Sequence, residues 1–264
     1  MKLIILKIGG SVCTYKEENK LEAKEEIIKR IAKEIKEAVK KGKFKLILVH
    51  GAGPFGHTNV ANFGINNGVY SKKQKEGLEK TIKDCNFLGS IFLKKLNEKG
   101  VRAVGLNPNK IIVQEEKKII KFNLSKIEEA LSEGKVPVLY GQMVPDTKLN
   151  ASVASGDAIT SFLSKEFKPE KVLLGTDVNG IFTADPKTNP KAKLIERIDE
   201  KNFGEVLKKV EEAKTVDVTQ GMKGKLTKLR EQLKGTRAII FNANIKGNVK
   251  KALLGERIGT EIKF

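Results

Sequence analysis

The sequence predicts an α/β fold, an open αβα sandwich built around a mostly parallel central sheet. Short runs of β-branched and aliphatic residues alternate with long amphipathic segments along the 264-residue chain, which is the pattern of strands joined by crossover helices. Glycine-rich segments directly follow several of the strand-like runs, as loops do at the carboxyl ends of parallel strands. No internal repeat or low-complexity linker interrupts the alternation, so we expect residues 1–264 to form a single domain.

Short apolar runs bounded by polar or glycine residues predict the strands. Parallel neighbours need long crossover connections, so the segments between these runs must supply the helices. The predicted strands are residues 2–8, 45–49, 101–104, 136–140, 171–174, 237–241 and 260–264.

Two long segments predict amphipathic helices. In residues 21–41, apolar side chains such as Ile31 and Ile35 recur at the spacing that keeps one helical face buried. Residues 71–99 repeat the pattern and include Cys85, which we interpret as a small core residue rather than a reactive thiol.

The segment between the second helix and the fourth strand predicts two smaller features. Residues 110–122 place two apolar runs around a polar tip, which favours a hairpin and makes it a candidate lid. Ser125 followed by Glu128 predicts a capping box that opens a short helix.

The composition, 39% hydrophobic and 31% charged, is typical of a soluble globular protein. A net charge of +19 attracts polyanions, so both nucleic acid and a substrate with several phosphates are candidate ligands. Nucleic-acid surfaces rely on arginine forks and stacked aromatics, yet the arginines here are scattered and only 6% of residues are aromatic. Most lysines alternate with glutamates on helical faces, so we expect solvated lysines and no nucleic-acid partner.

Nothing in the sequence predicts export or a membrane partner. The N-terminal apolar run is interrupted at Lys7, and no stretch of about 18 apolar residues follows. Cys13 and Cys85 are too few for a zinc site or a disulfide framework. We therefore expect a cytoplasmic protein.

The loop after the first strand has the composition of an anion site. Gly9 and Gly10 allow backbone N–H groups to approach an anion closely, and Lys7 alternates to a strand face from which it can reach the same anion. An ordinary glycine turn is the alternative.

The loop after the second strand, residues 50–57, contains both histidines of the chain. Its glycines satisfy the dinucleotide-binding spacing G-x-G-x-x-G, but the acidic residue that should end the next strand some 20 residues later has no strand to end, because residues 70–80 are helical in pattern and rich in lysine. We therefore favour an anion-binding loop of another kind. His57 is the candidate for chemistry, against a capping or surface role, whereas His50 ends a buried strand and is expected to be structural.

Three further segments complete the candidate site. Thr176 and Asp177 follow a strand and offer oxygens suited to a nucleotide, although a simple turn has the same composition. Asp157 precedes an apolar helix, where it could equally be an N-cap. Residues 217–225 place glycine and lysine at a predicted helix start, a natural phosphate site, and no Walker-type P-loop is present.

In their order along the whole chain, these segments resemble the amino acid kinase superfamily. Within it, the Phe55-Gly56-His57 end of the second loop, Lys16 and the C-terminal segment 252–260 most resemble the archaeal isopentenyl phosphate kinases. The motifs that carry the resemblance are Lys7-Ile8-Gly9-Gly10-Ser11, His50-Gly51-Ala52-Gly53, Ser155-Gly156-Asp157, Thr176-Asp177-Val178-Asn179-Gly180, Asp185-Pro186 and Gly221-Met222 with Lys225.

The resemblance implies transfer of the γ-phosphoryl group of ATP, with Mg²⁺, to the phosphate of isopentenyl phosphate. It casts Lys7 and Lys225 as neutralising the nucleotide phosphates, Lys16 as stabilising the transition state and Asp157 as orienting lysines. It assigns the acceptor phosphate to His57, helped by backbone at Ala52, Gly53 and Gly156. The remaining nucleotide-binding residues that it implies are Gly9, Gly10, Thr176, Asp177, Phe182, Asp185 and Gly221.

The resemblance also implies an organisation. Residues 1–165 would hold the acceptor and residues 166–264 the nucleotide, and because related kinases commonly form homodimers, a homodimer is expected.

Departures from the family pattern keep alternatives open. Gln142 and Ala158 stand where the family often has acids, which leaves room for another small phosphate, phosphonate or carboxylate acceptor. A nucleic-acid-binding protein without kinase activity is the alternative from a different class. The segment from Phe63 to Phe92 could wall an acceptor pocket or equally belong to the core; its apolar residues include Phe63, Ile65, Tyr70, Phe87 and Ile91.

Overall fold

The computed structural model describes residues 1–15, 21–184, 186, 189–212, 226–227, 229–231, 233 and 235–264. The strands in this part of the chain are β1 (Lys2–Ile8), β2 (Phe44–His50), β3 (Ala103–Gly105), β4 (Ile112–Glu115), β5 (Lys118–Phe122), β6 (Val136–Tyr140), β7 (Gln142–Asp146), β8 (Asn150–Ala154), β9 (Lys171–Thr176), β10 (Ile181–Phe182), β11 (Leu194–Ile195), β12 (Arg197–Asp199), β13 (Ala238–Asn242) and β14 (Thr260–Lys263). The helices are α1 (Gly10–Cys13), α2 (Glu25–Lys41), α3 (Pro54–Asn62), α4 (Lys72–Glu98), α5 (Pro108–Ile111), α6 (Ser125–Ser132), α7 (Gly156–Phe167), α8 (Phe203–Glu212) and α9 (Asn248–Leu254).

An eight-stranded sheet in the order β12-β14-β13-β9-β1-β2-β6-β3 forms the centre of the protein. Every neighbouring pair is parallel except β13 and β14. The predicted α/β fold with a mostly parallel sheet is therefore confirmed, and each of the seven predicted strands lies in this sheet.

The alternation of β1 side chains divides the core into two layers. Ile4, Leu6 and Ile8 pack on one face with residues of α2, α4 and α9. Ile5 packs on the other face with residues of α6, α7 and α8. Because side chains alternate along a strand, Lys7 shares the face of Ile5 and reaches toward α7.

The two predicted long helices are present as α2 and α4, and the ends of α4 follow local chemistry. The Ser71 side chain accepts a hydrogen bond from the Gln74 amide at 3.2 Å, and the Gln74 side chain accepts one from the Ser71 amide at 3.0 Å. This is a reciprocal capping box. The capping box predicted at Ser125 and Glu128 is wrong, because the Ser125 hydroxyl donates instead to Asn123 Oδ1 at 2.7 Å and makes no cap to the helix.

The predicted hairpin at residues 110–122 is confirmed as β4 and β5, and it belongs to a second sheet, of order β5-β4-β7-β8. Strands β7 and β8 were not predicted. Buried Asp146 joins the hairpin turn to β7 by accepting a hydrogen bond from the Lys117 amide at 2.9 Å. Burial opposes its charge, but hydrogen bonds from Ser152 and from the amides of Lys117, Lys148 and Leu149 outweigh burial and lower the pKa of Asp146. The lid role of the hairpin stays a prediction.

None of the helices in the described ranges combines the length and the apolar character needed to cross a bilayer.

Candidate active site

A cleft of about 540 Å³ opens where β1, β2 and β6 end and where α3 and α7 begin. The chain leaves β1 toward β2 on one side, while β9 pairs with β1 on the other side. Such a reversal of strand order is where open parallel sheets bind ligands. The predicted site residues that line this cleft are Lys7, Gly10, Ala52, Gly53, His57, Gly156 and Asp157.

The two glycine loops meet backbone to backbone on the cleft floor. A Cβ on Gly10 would lie 2.6 Å from the Gly53 nitrogen, and a Cβ on Gly51 would lie 2.5 Å from the Gly10 nitrogen. Gly53 has φ +54°, a conformation that side chains disfavour. Within the described residues, the amides of Ala52 and Gly53 have no hydrogen-bond acceptor. These loops therefore present unpaired N–H donors to the cleft, as an anion site requires.

Lys7 enters the cleft from the central strand and pairs with Asp157. Its Nζ lies 2.6 Å from Asp157 Oδ1, with 14% of the lysine side chain and 60% of the aspartate side chain exposed. Ser155, rather than Asp157, caps α7, because its Oγ accepts from the Ala158 amide at 3.1 Å. The Asp157 carboxylate is therefore not used as the helix cap, and it pairs with the Lys7 ammonium at the cleft.

His57 lies in the first turn of α3, which begins at Pro54. Proline suits this position because its missing N–H would have had no helical partner. The His57 amide donates to the Gly53 carbonyl at 3.0 Å, and its exposed side chain lines the cleft. The backbone of His57 is therefore joined directly to the second glycine loop.

His50, the other histidine, is fully buried at the end of β2, in line with its predicted structural role. Its Nδ1 lies 3.1 Å from the Gly51 oxygen. Burial lowers the pKa of His50 to about 4, so the ring is neutral at neutral pH.

The predicted nucleotide-side residues lie beside the cleft, at the end of β9. The Gly9 amide donates to the Gly175 oxygen at 2.8 Å, which joins the first glycine loop to this strand end. Thr176 follows, its Oγ1 3.1 Å from the Val178 oxygen, and Asp177 is exposed. Phe182 is half-buried in β10, which pairs with β11 in a separate two-stranded sheet. Four predicted residues, Lys16, Asp185, Gly221 and Lys225, lie outside the described residues.

The predicted wall segment, residues 63–92, does contribute to the apolar side of the cleft, through Thr81 and Cys85. The five apolar residues named for this role are not part of the lining: Ile65, for example, is buried in the core, while Tyr70 and Phe87 are 61% and 57% exposed. Thr81 and Cys85 lie one helical turn apart, a spacing that predicts a shared face but not that the face meets a cleft. The lining residues on this side are Val60, Thr81, Cys85, Met143 and Val153, with Gln142 beside them.

Cys85 is buried, as predicted, but it also forms part of the cleft lining. It is 1% exposed yet lines the cleft. Burial raises the pKa of its thiol to about 12, so it contributes an apolar surface rather than a nucleophile.

Comparison with known proteins places the chain in a class. The model of the amino acid kinase family matches residues 2–242, and the chain belongs to this family. It is 36% identical to an isopentenyl phosphate kinase of Methanothermobacter thermautotrophicus, with 98% of each chain covered. It is 35% identical to the enzyme of the same name from Methanocaldococcus jannaschii, with 99% of each covered.

The structure is similar to a solved one as well. A crystal structure of isopentenyl phosphate kinase superimposes with a TM-score of 0.82 at 34% identity, covering 98% of this chain and 99% of that one. The resemblance inferred from the motifs is thus confirmed over the length of the chain.

Proposed function

We propose that the chain transfers the γ-phosphoryl group of ATP to the phosphate of isopentenyl phosphate, giving isopentenyl diphosphate and ADP. The full-length similarity to isopentenyl phosphate kinases supports this acceptor. The observation that carries the chemistry is the convergence of the Lys7–Asp157 pair and two glycine loops on one cleft.

The reaction asks the protein mainly to position charge. An acceptor phosphate oxygen attacks the γ-phosphorus, the bond to the bridging β–γ oxygen breaks, and ADP leaves with that electron pair. A phosphate is already ionised at neutral pH, so no strong general base is required. Lys7, held by Asp157 at 2.6 Å, would offset the charge on the transferring oxygens.

On the acceptor side, we assign His57 as the donor to the acceptor phosphate. The amides of Ala52 and Gly53, and Gly156 at the amino end of α7, would complete the phosphate site. The apolar side of the cleft, which includes Val60, Cys85 and Met143, would hold the branched hydrocarbon.

On the donor side, we assign the nucleotide phosphates to Lys7 and the first glycine loop, and the nucleoside to the β9 end. Gly9 and Thr176 are joined there through Gly175. Mg²⁺ would neutralise phosphate charge when bound. Mg²⁺ is commonly held by substrate phosphates with one or two carboxylates, so we assign it to the phosphates of ATP.

The experiment is an ADP-release assay with Mg-ATP and each of three acceptors: isopentenyl phosphate, uridine monophosphate and glutamate. We expect turnover with isopentenyl phosphate far above the other two. Turnover confined to glutamate or uridine monophosphate would refute the proposed acceptor but would still agree with a phosphotransferase site.

The cytoplasmic location, the homodimer and the division into an acceptor half (1–165) and a nucleotide half (166–264) stay predictions. Light scattering after size-exclusion chromatography tests the homodimer, since a monomer mass would contradict it.

A further inference from the structure

We propose that His50 is a positioning residue: it donates a hydrogen bond from Nδ1 to the Gly51 carbonyl and thereby aims the amide of Ala52 at the acceptor phosphate. The inference rests on the proposed function, because it concerns the same cleft. His50 does not line the cleft, whereas Gly51, Ala52 and Gly53 do. Its effect therefore passes through the loop.

The hydrogen-bonding pattern of His50 defines its tautomer. A carbonyl oxygen only accepts, so the 3.1 Å contact to Gly51 requires the hydrogen on Nδ1. Nε2 is then an acceptor, and it has no partner in the part of the chain that the structure describes. Leaving a buried polar atom unpaired disfavours folding, and an apolar ring would fill the site without that penalty. The donor at Nδ1 is the property that a phenyl ring would lack.

Two aromatic rings pack against the imidazole of His50 and restrict its rotation. Phe92 stacks on it with a centroid distance of 4.0 Å and an interplanar angle of 8°, and Tyr140 lies 5.3 Å away at 20°. The Tyr140 hydroxyl is fixed in turn by Asn86 Oδ1 at 2.9 Å. The ring can scarcely rotate, so the direction of the Nδ1 hydrogen is set.

The peptide plane carries this orientation to the cleft. In a trans peptide, the Gly51 carbonyl and the Ala52 N–H point in opposite directions. The Gly51 oxygen faces the interior, where fully buried Cys13 places its sulfur 3.8 Å away. The Ala52 N–H is thereby directed away from the interior, and it has no acceptor among the described residues.

The test separates the donor from the ring. His50→Phe keeps an aromatic ring in the stack and removes the donor. His50→Asn removes the ring but keeps a donor bonded to Cγ, where Nδ1 stands. The matched control, Phe44→Leu, shrinks another buried aromatic side chain of the same core layer, at the opposite end of β2, and leaves both the stack and the donor intact.

We expect His50→Phe to lower kcat for isopentenyl phosphate by about 10²-fold, the loss typical of a displacement near 1 Å in a reacting geometry. Its melting temperature should stay near that of the wild type. His50→Asn should recover most of the lost kcat despite melting lower, and Phe44→Leu should melt lower with a kcat close to that of the wild type.

A wild-type kcat in His50→Phe would overturn the proposal, as would equal losses in His50→Phe and His50→Asn. If His50→Phe does not fold, His50→Asn is compared with His50→Ala, and equal kcat values in those two overturn it.

Amide resonances provide a readout without the reaction. In ¹H–¹⁵N spectra of the substrate-free protein, the Ala52 signal should shift in His50→Phe and stay close to wild type in Phe44→Leu. An unshifted Ala52 signal in His50→Phe would refute the role of His50. A wild-type protein that does not phosphorylate isopentenyl phosphate would refute the proposed function, and the spectra would still decide the role of His50.

Discussion

Replacing Lys7 by Met removes the ammonium group and keeps the hydrocarbon stem on β1, between its neighbours Val49 and Leu174. Only 14% of the Lys7 side chain is exposed, so its charge acts in a shielded cleft. Loss of one such group opposite developing charge typically lowers kcat by about 10² to 10³, or roughly 3 to 4 kcal/mol in the barrier. Asp157 is 60% exposed, so the pair should contribute at most ~1 kcal/mol to folding.

The assay is ADP release with Mg-ATP and isopentenyl phosphate, run beside urea unfolding. Lys2→Met is the matched control: it removes another β1 lysine, one paired with Glu170 at 2.9 Å. We expect Asp157→Asn to lower kcat only about tenfold. The neutral amide can still accept a hydrogen bond from Lys7, but this bond is weaker than one to a carboxylate. Equal kcat values for Lys7→Met and Lys2→Met would refute the reasoning, as would a large loss of stability in Lys7→Met without a loss of rate.

Three further substitutions test other parts of the site and fold. His57→Ala should lower kcat by about 10² to 10³ while the circular dichroism melt is unchanged, because the side chain is exposed in the cleft; near-normal turnover would contradict its role. Gly10→Ala should impair folding or turnover, because its Cβ would lie 2.6 Å from the Gly53 nitrogen. Gly204→Ala, with open space around its Cβ, is the control and should melt no lower than the wild type; equal behaviour of the two would argue against the loop contact. Asp146→Asn should destabilise the protein most near neutral pH. The lowered pKa of Asp146 stabilises the fold above its ordinary value of 3.8, and that contribution is lost as pH falls toward the folded-state pKa. The difference in free energy of unfolding should shrink below pH 4 in urea titrations, and a constant difference would contradict the sign.

The parts of the site that the sequence predicted are those fixed by local chemistry. Strands β1 and β2 are apolar runs that end at glycines, so the positions of Lys7, Gly10 and Gly53 at one sheet edge follow from strand geometry. The alternation of side chains along β1 also predicted that Lys7 lies on a strand face from which it can reach an anion at the first glycine loop.

The missed elements depend on tertiary hydrogen bonds. Strands β7 and β8 contain Gln142, Asp146 and Ser152, polar residues that are nevertheless buried. Ser152 donates to Asp146 at 2.6 Å, and Gln142 Nε2 donates to Asn86 at 3.0 Å. A pattern of apolar residues does not reveal strands whose buried side chains are polar and make hydrogen bonds to residues distant in the sequence.

The capping box at Ser125 failed for a related reason. Its sequence pattern fits a capping box, but the Ser125 hydroxyl donates its hydrogen bond to Asn123, two residues earlier. Competition between nearby side chains decides which helix start is used, and spacing alone does not contain that information.

The pairing of β1 with both neighbours has a mechanical consequence. Backbone bonds join β1 to β2 from Lys2 to Ile8 and to β9 from Ile4 to Ile8. Parting β1 from either neighbour would have to break this ladder. The ends of β1, β2 and β9 thus stand at a span fixed by inter-strand spacings of about 4.8 Å. The sheet, rather than the loops above it, therefore sets the distance between Lys7 and the end of β9.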